Sequence, residues 1–192
     1  MKIGIFALQG AFLEHRQALE KLGVETVEIR RRAHFTDKLD GVILPGGEST
    51  VQGKLLKDEG LFLPLREAIG GGMPVFGTCA GLILLAKKLT NDENVWLAAM
   101  NVSVRRNAYG RQLGSFRAEL DTAHIGAYPA VFIRAPYIES AGEHVEVLAE
   151  HEGKIVAARQ ENMLATAFHP ELTSDLRIHE YFCGMIRGAD RT

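Results

Sequence analysis

PVFGTCAGLILLAKKL, residues 74–89, decides how the rest of the chain is read. Pro74 to Gly77 form a short apolar strand, Thr78-Cys79 a sharp turn, and an amphipathic helix is predicted from about Ala80. Glycines stand two residues to either side of the cysteine, at Gly77 and Gly81. That is the G-x-nucleophile-x-G spacing of a nucleophile elbow, with cysteine as the nucleophile. So tight a strand-to-helix turn strains its central residue, and only small flanks let strand and helix approach. A thiol at the amino end of a helix also meets unpaired N–H groups, which favour a thiolate and can stabilise an oxyanion. The bland alternative is a buried structural cysteine ahead of a glycine-started helix. The strand before Cys79 and the helix after it are the context that a nucleophile requires.

Outward from the elbow, the first half of the chain alternates strand and helix. Residues 2–8, KIGIFAL, form an apolar run suited to a strand buried on both faces. A helix follows to about Leu22, with Phe12, His15, Leu19 and Leu22 near one face. Val24 to Arg30 alternates as a second strand. Leu39 to Leu44 is a third, ending abruptly in Pro45-Gly46-Gly47-Glu48-Ser49-Thr50. Two helices come next, the second over Leu61 to Ile69, and Gly70-Gly71-Gly72 turns into the elbow strand. This pattern predicts an α/β fold: a three-layer, open, mostly parallel sheet flanked by helices. With 192 residues, one domain spanning 1–192 is the expectation.

The second half changes character. Shorter strands are predicted over 97–104, 113–120 and 130–134. A hairpin over 145–151 and 154–160 turns at Glu152-Gly153. A strand over 164–168 ends at His169-Pro170-Glu171. A last helix, from about Asp175 to Arg187, presents Ile178, Phe182, Cys183 and Ile186 to the core.

Composition narrows the function classes. The net charge of -2 leaves no electrostatic footprint for nucleic acid. Arg30-Arg31-Arg32 reads as a solvated edge. No run of about 18 apolar residues exists, so no membrane span is expected, and MKIGIFAL leads straight into an element rather than a cleavage site. Two cysteines, Cys79 and Cys183, make no disulfide framework and fit a reducing cytoplasm. The histidines show no metal-ligand spacing, so neither a metal nor a cofactor is expected.

A cysteine nucleophile needs a base and a group to orient that base. His169 is the best candidate base, because it ends a predicted strand at the edge where sites gather in open sheets. Glu171 lies two residues on, on the same side of an extended backbone, and its carboxylate can fix the imidazole tautomer. Taken alone, His169 would be read as a capping or core histidine; the company of Glu171 and Cys79 changes that. After the third strand, Gly46 and Gly47 allow backbone N–H groups to approach a ligand. A Gly47 N–H, together with that of Ala80, would make an oxyanion hole. Ser49 or Thr50 is expected to cap the next helix, and the spacing is not that of a phosphate-binding loop. On the residues alone, three readings stay open: acyl transfer from a γ-carboxamide, a related peptidase or γ-glutamyl hydrolase, and a redox-sensing thiol.

Gly77-Thr78-Cys79-Ala80-Gly81 with a later His169-Pro170-Glu171 resembles the class I (triad) glutamine amidotransferase family. The flanking segments Ala7-Leu8-Gln9-Gly10-Ala11, Gly46-Gly47-Glu48-Ser49-Thr50, Arg106-Asn107 with Gly110-Arg111-Gln112, and Phe132-Ile133-Arg134-Ala135-Pro136 are closer still to one branch of it. That branch comprises the glutaminase subunits that serve pyridoxal 5'-phosphate synthases. The resemblance runs through nearly the whole chain and implies a flavodoxin-like class I fold. It implies that Cys79 attacks the glutamine side chain, His169 relays protons and Glu171 orients His169. Gly47, Glu48, Ser49, Arg106, Ile133 and Arg134 would form the glutamine site, with Arg106 or Arg134 on the substrate carboxylate. Ammonia would pass to a (β/α)8-barrel synthase subunit in a large hetero-oligomer, with Gln9 and Gly10 in the coupling. That synthase makes pyridoxal 5'-phosphate from a pentose phosphate and glyceraldehyde 3-phosphate. Three residues depart from the family pattern: Arg105 where an acid is common, Tyr109 for Phe and Tyr137 for His.

Overall fold

The computed structural model describes residues 1–107 and 114–189. Tyr109 and the Gly110-Arg111-Gln112 segment lie outside the described residues.

Five strands form the parallel half of a large sheet: β1 (Lys2–Phe6), β2 (Glu25–Ile29), β3 (Gly41–Leu44), β4 (Val75–Thr78) and β12 (Met163–Thr166), in the spatial order β2-β1-β3-β4-β12. The expected α/β fold with a parallel sheet is present. Every residue of β3, β4 and β12 is buried. That is why their sequences read as unbroken runs of small and apolar residues rather than as alternations. Ile3, Ile5, Val42, Ile43, Val75 and Phe76 are fully enclosed; each such side chain contributes about 1.5–3 kcal/mol of transfer free energy.

Side chains alternate across β4. Phe76 and Thr78 point to one face, where Phe76 meets His15 of α1 (Phe12–Lys21) and Phe182 of α5 (Arg177–Ala189). Gly77 points to the other face, against α4 (Ala80–Leu85). On that side α4 packs with α2 (Ser49–Asp58), which contacts α3 (Phe62–Gly70). The sheet thus lies between two helical layers.

Beyond β12 the sheet turns largely antiparallel. The order continues through β11 (Lys154–Gln160), β9 (Tyr137–Ala141), β6 (Met100–Arg105) and β5 (Ala86–Leu89), and β10 (Glu146–His151) pairs with β11. The β10–β11 hairpin turns at Glu152-Gly153 as expected, both residues having positive φ. A separate ribbon of β7 (Ser115–Thr122) and β8 (Gly126–Ile133) is antiparallel. Its end is tied to the parallel half by the His169 N–H, which donates to the Val131 carbonyl at 2.8 Å.

One expectation fails in an informative way. The helix after Cys79 is not amphipathic and does not run to Leu89. It has six residues, Ala-Gly-Leu-Ile-Leu-Leu, all buried, and stops where Ala86 adopts φ -59° and ψ 137°. A helix enclosed on all sides offers no water to Lys87 and Lys88. As strand β5, with a bulge between Ala86 and Lys88, the chain exposes both lysines while Ala86 and Leu89 stay buried. The strands β5 and β9 were not anticipated from the sequence. Among the described residues no helix is long and apolar enough to cross a membrane.

The glycines flanking Cys79 are required by distance. A Cβ on Gly81 would fall inside the contact radius of the Leu44 carbonyl oxygen, and one on Gly77 would sit 2.6 Å from the Gly81 carbonyl carbon. Both obstacles are backbone and cannot rotate away. Gly81→Ala is therefore expected to lower the unfolding free energy by about 2 kcal/mol or more. Urea denaturation followed by circular dichroism measures this; a variant as stable as the parent would show that β3 and α4 can separate at little cost.

Candidate active site

Three neighbouring strands end at one edge of the sheet, and each delivers one piece of the site. After Leu44, β3 gives Gly46, Gly47 and Glu48; after Thr78, β4 gives Cys79; beyond Thr166, β12 leads to His169 and Glu171. Adjacent parallel strands place their following loops side by side, which brings together residues far apart in sequence. Beyond β1, on the far side of β3, the chain adds Gln9.

Cys79 has φ 48° and ψ -95°. This is a left-handed conformation that a side-chain-bearing residue rarely adopts, and it costs on the order of 1–3 kcal/mol. The strain is held by the Cys79 N–H donating to the Thr166 carbonyl at 2.8 Å, and by the close glycine packing on either side. The sulfur is 3.9 Å from the Ile133 carbonyl oxygen and 7% of the residue is exposed.

His169 and Glu171 are each 6% exposed, and His169 Nδ1 lies 2.7 Å from Glu171 Oε1. They meet for a different reason from the one expected. The backbone after His169 is not extended: Pro170–Leu172 form a single tight helical turn, with the Leu172 N–H donating to the His169 carbonyl at 3.2 Å. This turn, rather than two-residue strand alternation, sets the Glu171 carboxylate against the ring. Gly46 leaves room for that ring; a Cβ there would lie 2.7 Å from His169 Nδ1.

Burial opposes charge on His169, but hydrogen bonds to Cys79 and Glu171 and the charges of both outweigh it, and its pKa is raised to about 10. The imidazolium form of His169 is thus favoured beside Cys79, the pairing that activates a thiol nucleophile.

A pocket of about 510 Å³ opens over the sulfur. Its lining includes Gly47, Glu48, Ser49, Arg106, Ile133 and Arg134, the six residues expected to bind substrate, together with Gln9, Cys79 and His169. Asn107 and Ile83 complete it, and neither was anticipated. Ala80, the expected second oxyanion donor, is fully buried at the first position of α4, directly after the nucleophile. Arg134 stands at φ 42°.

The roles within the glycine loop differ from expectation. The helix cap is Glu48, not Ser49 or Thr50; its carboxylate accepts from the Thr50 and Val51 N–H groups at 3.2 and 2.8 Å. The Ser49 hydroxyl is buried with no hydrogen-bond partner among the described residues. Arg106 is already engaged, paired with Asp92 and reaching Glu48 Oε1 at 3.2 Å. Gln9 is stitched to the loop: its Oε1 accepts from the Glu48 N–H at 2.8 Å, and Gln52 Nε2 donates to its carbonyl at 2.8 Å. Gly10 at φ 102° lies so close to the Gly46 carbonyl that any Cβ would collide with it.

Two departures from the family pattern explain each other. Arg105 and Tyr137 are partners across β6 and β9, and both reach Glu139 Oε1, at 2.5 and 3.4 Å. They form an exposed polar cluster away from the pocket lining.

His15 and His179 are two of the buried polar residues to which the sequence assigned no role, beside Gln52, Thr78, Thr122 and Thr166. Their signal was present in the helical period. His15 shares a face with Phe12, Leu19 and Leu22, and His179 shares one with Phe182, Cys183 and Ile186. Among the described residues no group of three or more His, Cys, Asp or Glu is arranged to hold a metal.

Known proteins resemble this chain along nearly its whole length. The SNO glutamine amidotransferase family matches residues 5–187. A pyridoxal 5'-phosphate synthase subunit PdxT of Streptococcus pneumoniae is 56% identical over 190 residues, 97% of this chain and 98% of its own. A crystal structure of a glutamine amidotransferase superposes with a TM-score of 0.91 at 44% identity, covering 96% of this chain and 98% of that one. The PurLQS structure of Thermotoga maritima shares the fold at 14% identity, with a TM-score of 0.67 over 95% of this chain and 97% of that one.

The raised pKa of His169 has a testable consequence. A group whose pKa is higher folded than unfolded contributes stability that is fully present below its unfolded value, about 6.5 here. That contribution is lost as pH rises through the folded value of about 10. In the intact protein the His169 ring is expected to keep its proton through neutral pH. In Cys79→Ala it should release it at lower pH, because burial then meets less opposition. Proton NMR titration of the His169 Cε1–H reads both midpoints, and equal midpoints would mean that sulfur and ring do not interact.

Proposed function

The chain belongs to the SNO glutamine amidotransferase family, and from that premise we propose that Cys79, His169 and Glu171 hydrolyse L-glutamine to L-glutamate and ammonia. The observation that carries the reading is the strained cysteine and the buried histidine lining one pocket, the histidine held by a buried glutamate 2.7 Å from its Nδ1.

The steps follow from these groups. The Cys79 sulfur, as thiolate beside imidazolium, attacks the side-chain amide carbon. The carbonyl oxygen becomes an oxyanion, whose donors we assign as the Gly47 and Ala80 N–H groups. His169 gives its proton to the amide nitrogen, the C–N bond breaks, and ammonia leaves a thioester on Cys79. Water then yields a proton to His169 and its oxygen adds to the acyl carbon. The C–S bond breaks, releasing glutamate and returning the sulfur as thiolate beside a protonated His169. Glu171 keeps the ring oriented and stabilises its charge throughout. The α-carboxylate of glutamine is assigned to Arg134 first, since Arg106 is already neutralised by Asp92 and Glu48. Glu48 accepts the α-ammonium with the part of its carboxylate that the helix cap leaves over. Ser49 and Ile133 complete the enclosure.

The relative's name, a pyridoxal 5'-phosphate synthase subunit, supports a synthase partner for this chain. That partner is assigned as a (β/α)8 barrel that joins ribose 5-phosphate or ribulose 5-phosphate to glyceraldehyde 3-phosphate with the ammonia delivered here, in a large hetero-oligomer. Gln9 and Gly10 are assigned to coupling, because they are bonded or packed to both Glu48 and Gly46. A displacement at their surface turn is transmitted to the oxyanion loop. The two free cysteines suit a reducing cytoplasm.

The test is ammonia release from glutamine by the chain assembled with its synthase subunit. Cys79→Ala is expected to abolish turnover, and Glu171→Gln to lower kcat by roughly 100-fold or more. Turnover retained in Cys79→Ala would refute the reading. Full activity on γ-glutamyl peptides without the synthase would replace it with a stand-alone hydrolase. A second experiment treats the complex with a glutamine-analogue alkylating agent; mass spectrometry should find the label on Cys79 and not on Cys183.

A further inference from the structure

Glu171 has two carboxylate oxygens, and the mechanism uses one. Oε1 faces His169 Nδ1 at 2.7 Å. Oε2 is buried and makes no hydrogen bond among the described residues, and His15 Nε2 stands 3.4 Å from it, within ion-pair range. His15 Nε2 is also 3.1 Å from Thr78 Oγ1, the hydroxyl of the residue before the nucleophile. On its other side His15 Nδ1 is 2.9 Å from His179 Nε2. Both histidines and Thr78 are 0% exposed. The aromatic neighbour of both rings is Phe76, edge-on to each at 5.9 Å. Four elements, α1, β4, α5 and the Pro170–Leu172 turn, each contribute to this cluster, yet it touches no substrate.

Two proton arrangements are open to a pair of neutral histidines here, and they are not equivalent. In the first, His15 Nδ1–H donates to His179 Nε2. His15 Nε2 then accepts from the Thr78 hydroxyl, which leaves the buried Glu171 Oε2 beside a lone pair with no donor, and His179 carries a buried Nδ1–H that has no acceptor among the described residues. Both features are costly. In the second, His179 Nε2–H donates to His15 Nδ1, and His15 Nε2–H donates to Thr78 Oγ1 with Glu171 Oε2 3.4 Å away, so that the carboxylate oxygen faces an N–H dipole rather than a lone pair. No buried donor of either ring is then left over; His179 Nδ1 is an acceptor only.

We infer that His179 and His15 form a neutral, one-directional N–H chain that positions Glu171, and that His15 is a positioning residue for the cysteine–histidine–glutamate site. Neutrality matters as much as direction. A charged His15 would compete with His169 for the one negative charge of Glu171, whereas an N–H dipole fixes the carboxylate and leaves its charge to the catalytic ring. Burial, then the charges of His179 and His169, hold His15 well below its ordinary pKa; burial alone takes His179 to about 4. The groups facing His15 are therefore His179, Thr78, Glu171 and, beyond it, His169.

The kinetic part of this inference rests on the glutaminase reading; the proton positions do not. The first measurement is the 15N spectrum of histidine-labelled protein. His15 and His179 are expected as neutral Nε2–H tautomers at pH 7, and a His15 in the Nδ1–H or the charged form would overturn the inference. The second is the pH profile of glutamine hydrolysis by the complex assembled with the synthase. His15→Leu is expected to lower kcat roughly tenfold or more while KM changes less than about twofold, and to move the alkaline limb to lower pH. His15→Gln, which restores an N–H near the Nε2 position, should recover most of that loss. A purely structural role would lower thermal stability in both variants and leave the alkaline limb in place. Equal losses in both variants, or an unmoved limb, would refute the inference. If the intact complex released no ammonia, the glutaminase reading would fall and the 15N result would still decide the proton positions. If His15→Leu did not fold, the 15N spectrum and His15→Gln would decide.

Discussion

One backbone conformation, that of Cys79, sets the terms for everything around it. A cysteine at φ 48° projects its sulfur out of the line of β4, clear of the sheet edge, at a cost of on the order of 1–3 kcal/mol. The surroundings must fix that conformation more firmly than it wishes to relax. The Thr166 carbonyl holds the Cys79 N–H, and the Leu44 carbonyl lies where a side chain at position 81 would be. A fully buried six-residue helix, with no polar side chain to pull it toward water, clamps the far side. Because these contacts come from β3, β12 and α4, the elbow depends on register: Leu164 beside Phe76 and Ile43 beside Phe76 on its two flanks. A slip on either side would remove the clamp, so the parallel sheet and the nucleophile are a single structural decision.

The electrostatics depend on the same enclosure. A histidine buried as deeply as His169 would ordinarily be neutral, since desolvation penalises the charged form. Here desolvation is the largest influence and still loses, because the Cys79 sulfur and the Glu171 carboxylate, the latter 2.7 Å from Nδ1, together favour the charged ring. Burial thus cuts both ways: it raises the cost of the charge and strengthens each interaction that compensates it. In an exposed site the same three residues would be screened by water, and the imidazolium would not persist so far into alkaline pH.

Much of this was legible in the chain, and for physical reasons. Gly77, Cys79 and Gly81 are a local signature because the steric demand of the elbow is local. The buried strands are legible because a strand covered on both faces is built almost wholly from small and apolar residues. The length of α4 was not legible. LILLAKKL continues a helical pattern, and only the enclosure of α4 on every side, a tertiary fact, makes Lys87 and Lys88 leave the helix for an edge strand. Nor could the sequence mark Glu48 as the cap, since Ser49 and Thr50 are usual capping types, glutamate is not, and one residue decides the start of α2. His169 and Glu171 were paired correctly through an argument about extended backbone that does not apply; the turn at Pro170 reaches the same contact by another route. His15 and His179 are 164 residues apart. Each looks like a polar intruder on its own helix, and only their meeting gives either a purpose.

The distribution of polar groups shows how the site divides its tasks. On the pocket side, polar atoms sit in exchangeable arrangements: Arg106 shared between Asp92 and Glu48, and Gln9 linking a backbone N–H to the loop beside it. These contacts are partly exposed, so water can replace any lost partner and each bond contributes little net stability. Such a rim can re-form around a zwitterionic substrate without destabilising the fold. On the other side of Cys79, His169 and Glu171, the side chains of Thr78, His15 and His179 are sealed from water, and no solvent could replace a broken bond there. A site that must accept and release substrate thousands of times needs both kinds of surface. Its rim has to yield while its base keeps a single geometry, and the Glu171 carboxylate, with one oxygen turned to each side, is the point where the two regimes join.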